Sequence, residues 1–264
     1  LLFVKGNGLA VKQDCLGIVG TRLVSDYGKR ITKELAGALS KYGLVIVSGL
    51  ARGVDTIAHK ETLSVGGITL AVLGCGLDRV YPAENKKLFD EIVEKDGALL
   101  SEFPFGTKPD AGNFPQRNRI ISGLSHATVV VEAGDKSGAM LTAMNAIDQN
   151  REVFAVPGRI TDKQSVGTNR LIRHGAIPVL DADQILENLQ SHLFYPNQPK
   201  QETIQIDLTP DQRKIIIFLL DDPVHIDELS KLTDMDITLL LGTLLQMELQ
   251  GSVRQLAGKM FVSN

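Results

Sequence analysis

Leu44-Val45-Ile46-Val47 runs directly into Ser48-Gly49-Leu50-Ala51-Arg52-Gly53-Val54-Asp55 and then into Thr56-Ile57-Ala58-His59. Four consecutive apolar residues predict a strand buried on both faces, the pattern of a parallel sheet. The chain then turns at Ser48-Gly49, carries one fixed positive charge at Arg52, and opens a helix near Gly53 to Asp55. A strand, a glycine-bearing turn and a helix start bring free backbone N–H groups and the positive end of a helix dipole to one point. Such a point suits an anion, and an arginine beside it makes phosphate the first choice. Taken alone, the stretch is equally readable as a tight βα turn with a solvated arginine.

The pattern repeats on either side. Apolar runs predict strands over 16–20, 44–47, 68–73, 98–100, 127–132, 152–156 and 177–180. Amphipathic stretches predict helices over 26–41, 54–65, 85–96, 115–123, 139–149 and 168–174. This βαβα alternation implies an α/β fold, a mostly parallel sheet with helices on both faces. Right-handed crossovers then bring every loop that follows a strand to one edge, where open α/β sheets bind their ligands.

Those loops hold Thr21-Arg22, residues 48–53, Gly74-Cys75-Gly76, residues 101–106, Gly134-Asp135-Lys136-Ser137-Gly138 and Pro157-Gly158-Arg159. Phe114-Pro115-Gln116-Arg117-Asn118-Arg119 opens the helix before the fifth predicted strand. Glycines, small hydroxyls and the basic set Arg22, Arg52, Arg117, Arg119, Lys136 and Arg159 therefore gather on the ligand edge. Phosphodiester contacts need point charges and N–H donors along a path, and this edge supplies both. With no Trp and 5% aromatic residues, extensive base stacking is not expected. For Phe103, Phe105 and Phe114, ordinary loop packing and contact with a base are both open.

At 264 residues, 43% apolar and 22% charged, the sequence has room for one sizeable domain and a small one. No apolar run approaches transmembrane length, and the start is no secretory signal. Cys15 and Cys75 are too few for a disulfide framework or a zinc site, so buried thiols in a reducing cytoplasm are expected. The net charge of −3 hides an asymmetry: from Gln201 onward 5 basic and 10 acidic residues give −5, leaving +2 on the first 200. Any polyanion is expected on that first part.

Beyond a helix over 181–190, the proline-bearing polar stretch 191–206 reads as a linker. Thr209-Pro210-Asp211 caps a helix over 211–220, followed by helices over 226–232 and 237–249 and a β-ribbon between 251 and 262, a winged-helix pattern. Such modules often read DNA with a basic helix, but 237–249 has no Lys or Arg. A protein-binding or regulatory role is the expectation for this module, and 1–190, 191–206 and 207–264 are the expected domain, linker and domain.

Other chemistries are poorly supported. Neither a GxxxxGK[ST] loop nor a GxGxxG after the first strand occurs, so no nucleotide cofactor is expected. The five histidines have no ligand-like spacing, and no metal is expected. Asp55 and His59 fall at i, i+4 on one helix face, where an ion pair or cap explains them as well as catalysis does. Glu102 and Glu132 end strands and are read as orienting Arg22 or Arg119 rather than as acid and base.

Ile18-Val19-Gly20-Thr21-Arg22, Ser48 to Asp55, Phe114-Pro115-Gln116-Arg117-Asn118-Arg119-Ile120-Ile121-Ser122, Val131-Glu132-Ala133 with Ser137-Gly138, and Val153-Phe154-Ala155-Val156-Pro157-Gly158 closely resemble the DNA processing protein A (DprA/Smf) family. Gly167-Thr168-Asn169 and Leu171-Ile172 continue the resemblance, which covers about 1–189. It implies an extended Rossmann-like domain that binds single-stranded DNA and loads RecA recombinase onto it in natural transformation. It further implies a cytoplasmic homodimer, RecA and single-strand-binding protein as partners, and a winged-helix module at the acidic end. Members often have a helical domain ahead of the Rossmann part; nothing here matches it, and a trimmed or truncated chain is the reading. The positively charged pocket of the family maps onto Ser48, Gly49, Arg52 and Lys136, with Arg117, Asn118 and Arg119 nearby; with Arg22, Gly53, Ser137 and Gly138 of the edge loops, these are the expected DNA site. The alternative is a nucleotide-binding hydrolase like the LOG phosphoribohydrolases, whose pattern Pro-Gly-Gly-x-Gly-Thr-x-x-Glu corresponds here to Glu132-Ala133-Gly134-Asp135-Lys136-Ser137-Gly138-Ala139-Met140. The catalytic glutamate of that pattern is missing, so no enzyme activity is expected.

Overall fold

The strands that organise the chain are apolar on both faces because helices cover both. A computed structural model describes residues 1–135, 137–190, 209–219, 223–233, 235–249, 252–256 and 258–263. Lys136 and the stretch 191–206 read as a linker lie outside the described residues. The chain divides into two compact units, Leu1–Phe194 and Tyr195–Asn264.

In the first unit eight strands form one sheet: β1 (Phe3–Gly6), β2 (Cys15–Val19), β3 (Val45–Ser48), β4 (Thr69–Val72), β5 (Ala98–Ser101), β6 (Ala127–Val130), β7 (Glu152–Ala155) and β8 (Ile177–Pro178). Their order is β1-β5-β4-β3-β2-β6-β7-β8, parallel throughout except for β1, which runs antiparallel to β5. The helices are α1 (Asp26–Lys41), α2 (Val54–Ser64), α3 (Lys86–Glu94), α4 (Asn113–Leu124), α5 (Gly138–Asp148), α6 (Val166–Arg173) and α7 (Ala182–Gln190). From β2 the chain builds outward through β3, β4 and β5, then returns to place β6 on the other side of β2. Strand order therefore reverses between β2 and β6, and the loops leaving them open a crevice.

Alternation along each strand sorts the core into two layers. Val45, Val47, Leu70 and Val72 pack with Ile120 and Ile121 of α4 and Ala139, Ala143 and Ala146 of α5. Ala71, Leu73 and Leu99 pack with Leu63 of α2 and Leu88, Phe89 and Ile92 of α3. Each large aliphatic side chain buried this way stabilises by about 1.5–3 kcal/mol.

Two differences from the sequence expectation have simple causes. β1 was not expected, because Phe-Val-Lys-Gly is an edge segment whose side chains are mostly solvated and so lacks an apolar run. β8 stops at Pro178 rather than continuing to 180: Val179 N–H still reaches the Ala155 carbonyl at 3.0 Å, but the next donor due from the neighbouring strand is Pro157, which has no N–H, and Leu180 is exposed.

The second unit holds α8 (Pro210–Phe218), β9 (Val224–His225), α9 (Ile226–Thr233), α10 (Ile237–Leu249), β10 (Val253–Leu256) and β11 (Met260–Ser263). Thr209 and Gln212 form a reciprocal capping box at the start of α8. The strands pair antiparallel in the order β10-β11-β9. β9, only two residues long, was invisible to periodicity. Ile215, Leu229, Leu240, Leu244, Met247 and Phe261 form the core of this winged-helix domain.

Candidate nucleic-acid interface

The crevice where strand order reverses is a cleft of about 690 Å³. Thr21 and Arg22 after β2, Ala51 and Asp55 after β3, Phe114 and Asn118 of α4, and Ser137 and Gly138 at the start of α5 are among its lining.

The loop after β2 is pinned on both sides. Thr21 N–H donates to the Glu132 carbonyl at 2.7 Å, and the Thr21 carbonyl accepts from Val54 N–H at 3.3 Å. Gly53 (φ 79°) packs so closely here that a Cβ would stand 2.3 Å from the Thr21 carbonyl, so only glycine fits. Arg22 projects from this fixed backbone, exposed, with its guanidinium carbon 5.5 Å from the centre of the Phe114 ring. Phe114 in turn stacks on Tyr81, with centroids 5.4 Å apart. Among the described residues Arg22 has no carboxylate partner.

The turn after β3 is occupied from within. Ser48 is fully buried and its hydroxyl donates to the Ile18 carbonyl at 2.6 Å. The Asp55 carboxylate accepts from the N–H groups of Gly49 (3.1 Å) and Ala51 (3.3 Å). On the carbonyl side, the Arg117 guanidinium donates to Gly49 O at 2.8 Å and to Val72 O. A Cβ on Gly49 would lie 2.6 Å from that guanidinium. The expectation that Ser48 and Gly49 offer open donors is thus corrected: Asp55, the helix's own acid, fills them as a phosphate would. Arg117, 4% exposed, is likewise no surface contact but a clamp on the turn.

Burial raises the Asp55 carboxyl to about 6, opposed by the Arg117 charge and the two N–H bonds. Burial also lowers Arg117 to about 10, which leaves it charged at neutral pH. His59 does not pair with Asp55: its Nδ1 lies 2.7 Å from the Thr69 hydroxyl, and burial drops its pKa to about 3. The i, i+4 pair is therefore neither an ion pair nor a helix cap: α2 starts at Gly53 without a side-chain cap, and Asp55 closes the turn ahead of it.

Arg52 is exposed, with its fork closed on Glu84: Nη2 donates to Oε2 at 3.1 Å, and Nε to Oε1. Arg119 pairs with Glu102 and is not among the residues lining the cleft. Glu132 orients neither arginine. Its buried carboxylate accepts from the N–H of Ser25 at 3.0 Å and from the Ser25 hydroxyl, at the cap of α1.

The N-terminus of α5 faces the cleft. The Ser137 hydroxyl caps it by accepting from Ala139 N–H at 3.3 Å, and Gly138 is open to solvent. Asn118 braces this end, its amide donating to the Gly138 carbonyl at 3.2 Å. A capped eleven-residue helix presents partial positive charge and N–H groups here. Lys136, immediately before it in sequence, is outside the described residues.

Tyr81, Glu84 and Gln164 were not singled out from sequence. Gln164 lines the cleft and donates to the Leu23 carbonyl at 3.0 Å. None belongs to a recognisable motif; each reaches its place only through the fold.

Known proteins resemble this chain over most of its length. A model of DNA recombination-mediator protein A matches residues 1–190, and one of the DprA winged helix domain matches 198–259. Protein Smf of Escherichia coli is 40% identical over 265 residues, covering 97% of this chain and 70% of that protein. DNA processing protein DprA of Bacillus subtilis is 44% identical over 200 residues, covering 75% and 67%. The solved DprA of Streptococcus pneumoniae superposes with a TM-score of 0.67 at 43% identity, over 70% of this chain and 65% of that one. A Helicobacter pylori DprA structure, described for its single-stranded DNA binding mode, gives a TM-score of 0.67 at 34% identity, over 72% and 87%. With its reversed-order parallel sheet, its arginine-flanked cleft and a winged-helix unit later in the sequence, the chain belongs to the DprA/Smf family of DNA recombination-mediator proteins.

Proposed function

We propose that this chain binds single-stranded DNA along the carboxyl edge of its sheet, without catalysing a reaction on it. The observation that carries the reading is the meeting, in one cleft, of Arg22, which has no carboxylate partner among the described residues, and the exposed N-terminus of α5. Arg22 and Arg52 contact phosphates, and the Ser137-Gly138 end of α5, with Lys136 beside it in sequence, supplies fixed donors and charge. Gly53, Asn118, Arg117 and the Ser48-Gly49 turn hold these groups in position, and Arg119 extends the basic edge. Tyr81 and Phe114 at the mouth offer a stacking face to a base, which a bare strand exposes and a duplex hides. Sequence preference is weak, because phosphate contacts carry no base information directly. Hydrolysis of the LOG type finds no support: Met140 stands where that pattern needs glutamate, with its sulfur against Gly167 of α6.

The finer role is loading of RecA onto incoming DNA in natural transformation, by a cytoplasmic homodimer, with single-strand-binding protein as a further partner. It is supported by the family description alone. A pull-down in which RecA fails to associate with the DNA-bound protein reduces the role to strand binding. For the binding itself, a gel shift comparing single strands, duplex and mononucleotide is the test. Tight binding only to the single strand is the expected outcome; equal affinity for duplex, or saturation by mononucleotide, removes the reading.

A further inference from the structure

The arginines of the carboxyl edge differ in what neutralises them. Arg22 stands without a carboxylate among the described residues, Arg117 is buried against carbonyls, and Arg52 is held by Glu84 at two points, Nε and Nη2. We propose that Glu84 is a competing carboxylate built into the site, which occupies Arg52 in the free protein and is exchanged for a DNA phosphate when a strand binds. This rests on the reading of Arg52 as a phosphate contact.

The two-point geometry is the one a phosphate takes on a guanidinium, so Glu84 fills the same donors that DNA needs. Its position is enforced by its neighbours. Asn85, 4% exposed, donates to the Leu50 carbonyl at 2.9 Å and to the Thr56 hydroxyl at 2.8 Å. Both acceptors flank Arg52 in sequence, one on its turn and one on its helix. On the other side, Tyr81 is stacked on Phe114. The backbone that carries Glu84 is therefore fastened to the element that carries Arg52 and to the mouth of the cleft.

The pair is also easy to open. The side chains are 64% and 51% exposed, so water and salt screen their attraction. Arg52, Tyr81, Pro82 and Arg22 line one small cavity beside the main cleft, so a strand held at Arg22 passes within reach of Arg52. Its next phosphate then arrives as an intramolecular competitor at high effective concentration. Exchange replaces one ion pair by another and releases a charged carboxylate, which blunts both the affinity and the salt dependence of the contact.

The experiment is a salt titration of oligothymidylate binding by the full chain, its Glu84→Gln and Arg52→Ala variants, and the double variant. Glutamine keeps the size of the side chain and removes its charge. Glu84→Gln is expected to tighten binding by about twofold to fivefold, the worth of an exposed ion pair. It is also expected to steepen the salt slope by up to about 0.7, the value of one phosphate contact on a single strand. In the Arg52→Ala background the same substitution leaves the slope unchanged. If Glu84→Gln alters neither affinity nor slope while Arg52→Ala weakens binding, the exchange is wrong and the DNA reading of Arg52 stands. A slope change that persists without Arg52 is a general field effect and overturns the exchange. Unaltered binding by Arg52→Ala removes Arg52 from the DNA path and the proposal with it.

Discussion

Arg117 and Arg119 stand two residues apart on α4 and end in opposite surroundings. Two residues on an α-helix are about 200° apart, so one arginine turns to the sheet and the other to solvent. Arg117 becomes a clamp on the turn after β3, while Arg119 pairs with Glu102 on the surface. The same burial governs Asp55 and His59, with opposite consequences for stability. Asp55 titrates at about 6 in the fold against an ordinary carboxyl value near 3.8, so its stabilising contribution is complete below about 3.8 and lost as pH rises through 6. His59 titrates at about 3 against an ordinary 6.5, so its contribution is present above 6.5 and lost as pH falls toward 3. Between about pH 4 and 6 the two slopes offset each other. Asp55→Asn leaves His59 unopposed, and the variant should lose stability on acidification faster than the parent, by about 1.4 kcal/mol per pH unit. Urea unfolding of both proteins from pH 4 to 7 checks this; parallel stability curves would contradict it.

Among the elements, α5 is where the proposed site and a helix's own stability meet. Its cap is Ser137 and its first turn borders the cleft, so one position governs both helix stability and anion attraction. Ser137→Asp keeps a good cap but sets a negative charge where a phosphate is drawn. Thermal unfolding should show unchanged or slightly raised stability, while affinity for single-stranded DNA falls about tenfold, roughly 1.4 kcal/mol. Loss of stability together with affinity would mean that the end of α5 is structural only. Elements of this kind were legible in the sequence because strands covered on both faces read as continuous apolar runs and α1 announces its start with Ser25-Asp26. β1 and β9 were not, being an exposed edge and a two-residue pair. At the site, the residue types of the edge loops were legible, but their environments were not. Glu84 meets Arg52 from 32 positions away, and the chain gives no local sign of it. Nor does an arginine on a helix declare whether it will be buried.

At the scale of the molecule, charge is unevenly divided. The first 200 residues carry +2 and the remainder −5, and α10, where a DNA-reading winged helix would be basic, exposes Leu239, Leu241 and Leu245 instead. A chain ending at Gln190 should therefore retain most of its affinity for single-stranded DNA in a gel shift, and a large loss would assign DNA contacts to the winged-helix unit. The central claim, that Arg22 and its neighbours hold the phosphate backbone of a bare strand in the cleft, is tested most directly by the salt dependence of that affinity in the parent and in Arg22→Ala. The account predicts binding weaker by about 1–3 kcal/mol and a slope flatter by about 0.7. The same affinity and the same slope in both proteins would contradict it.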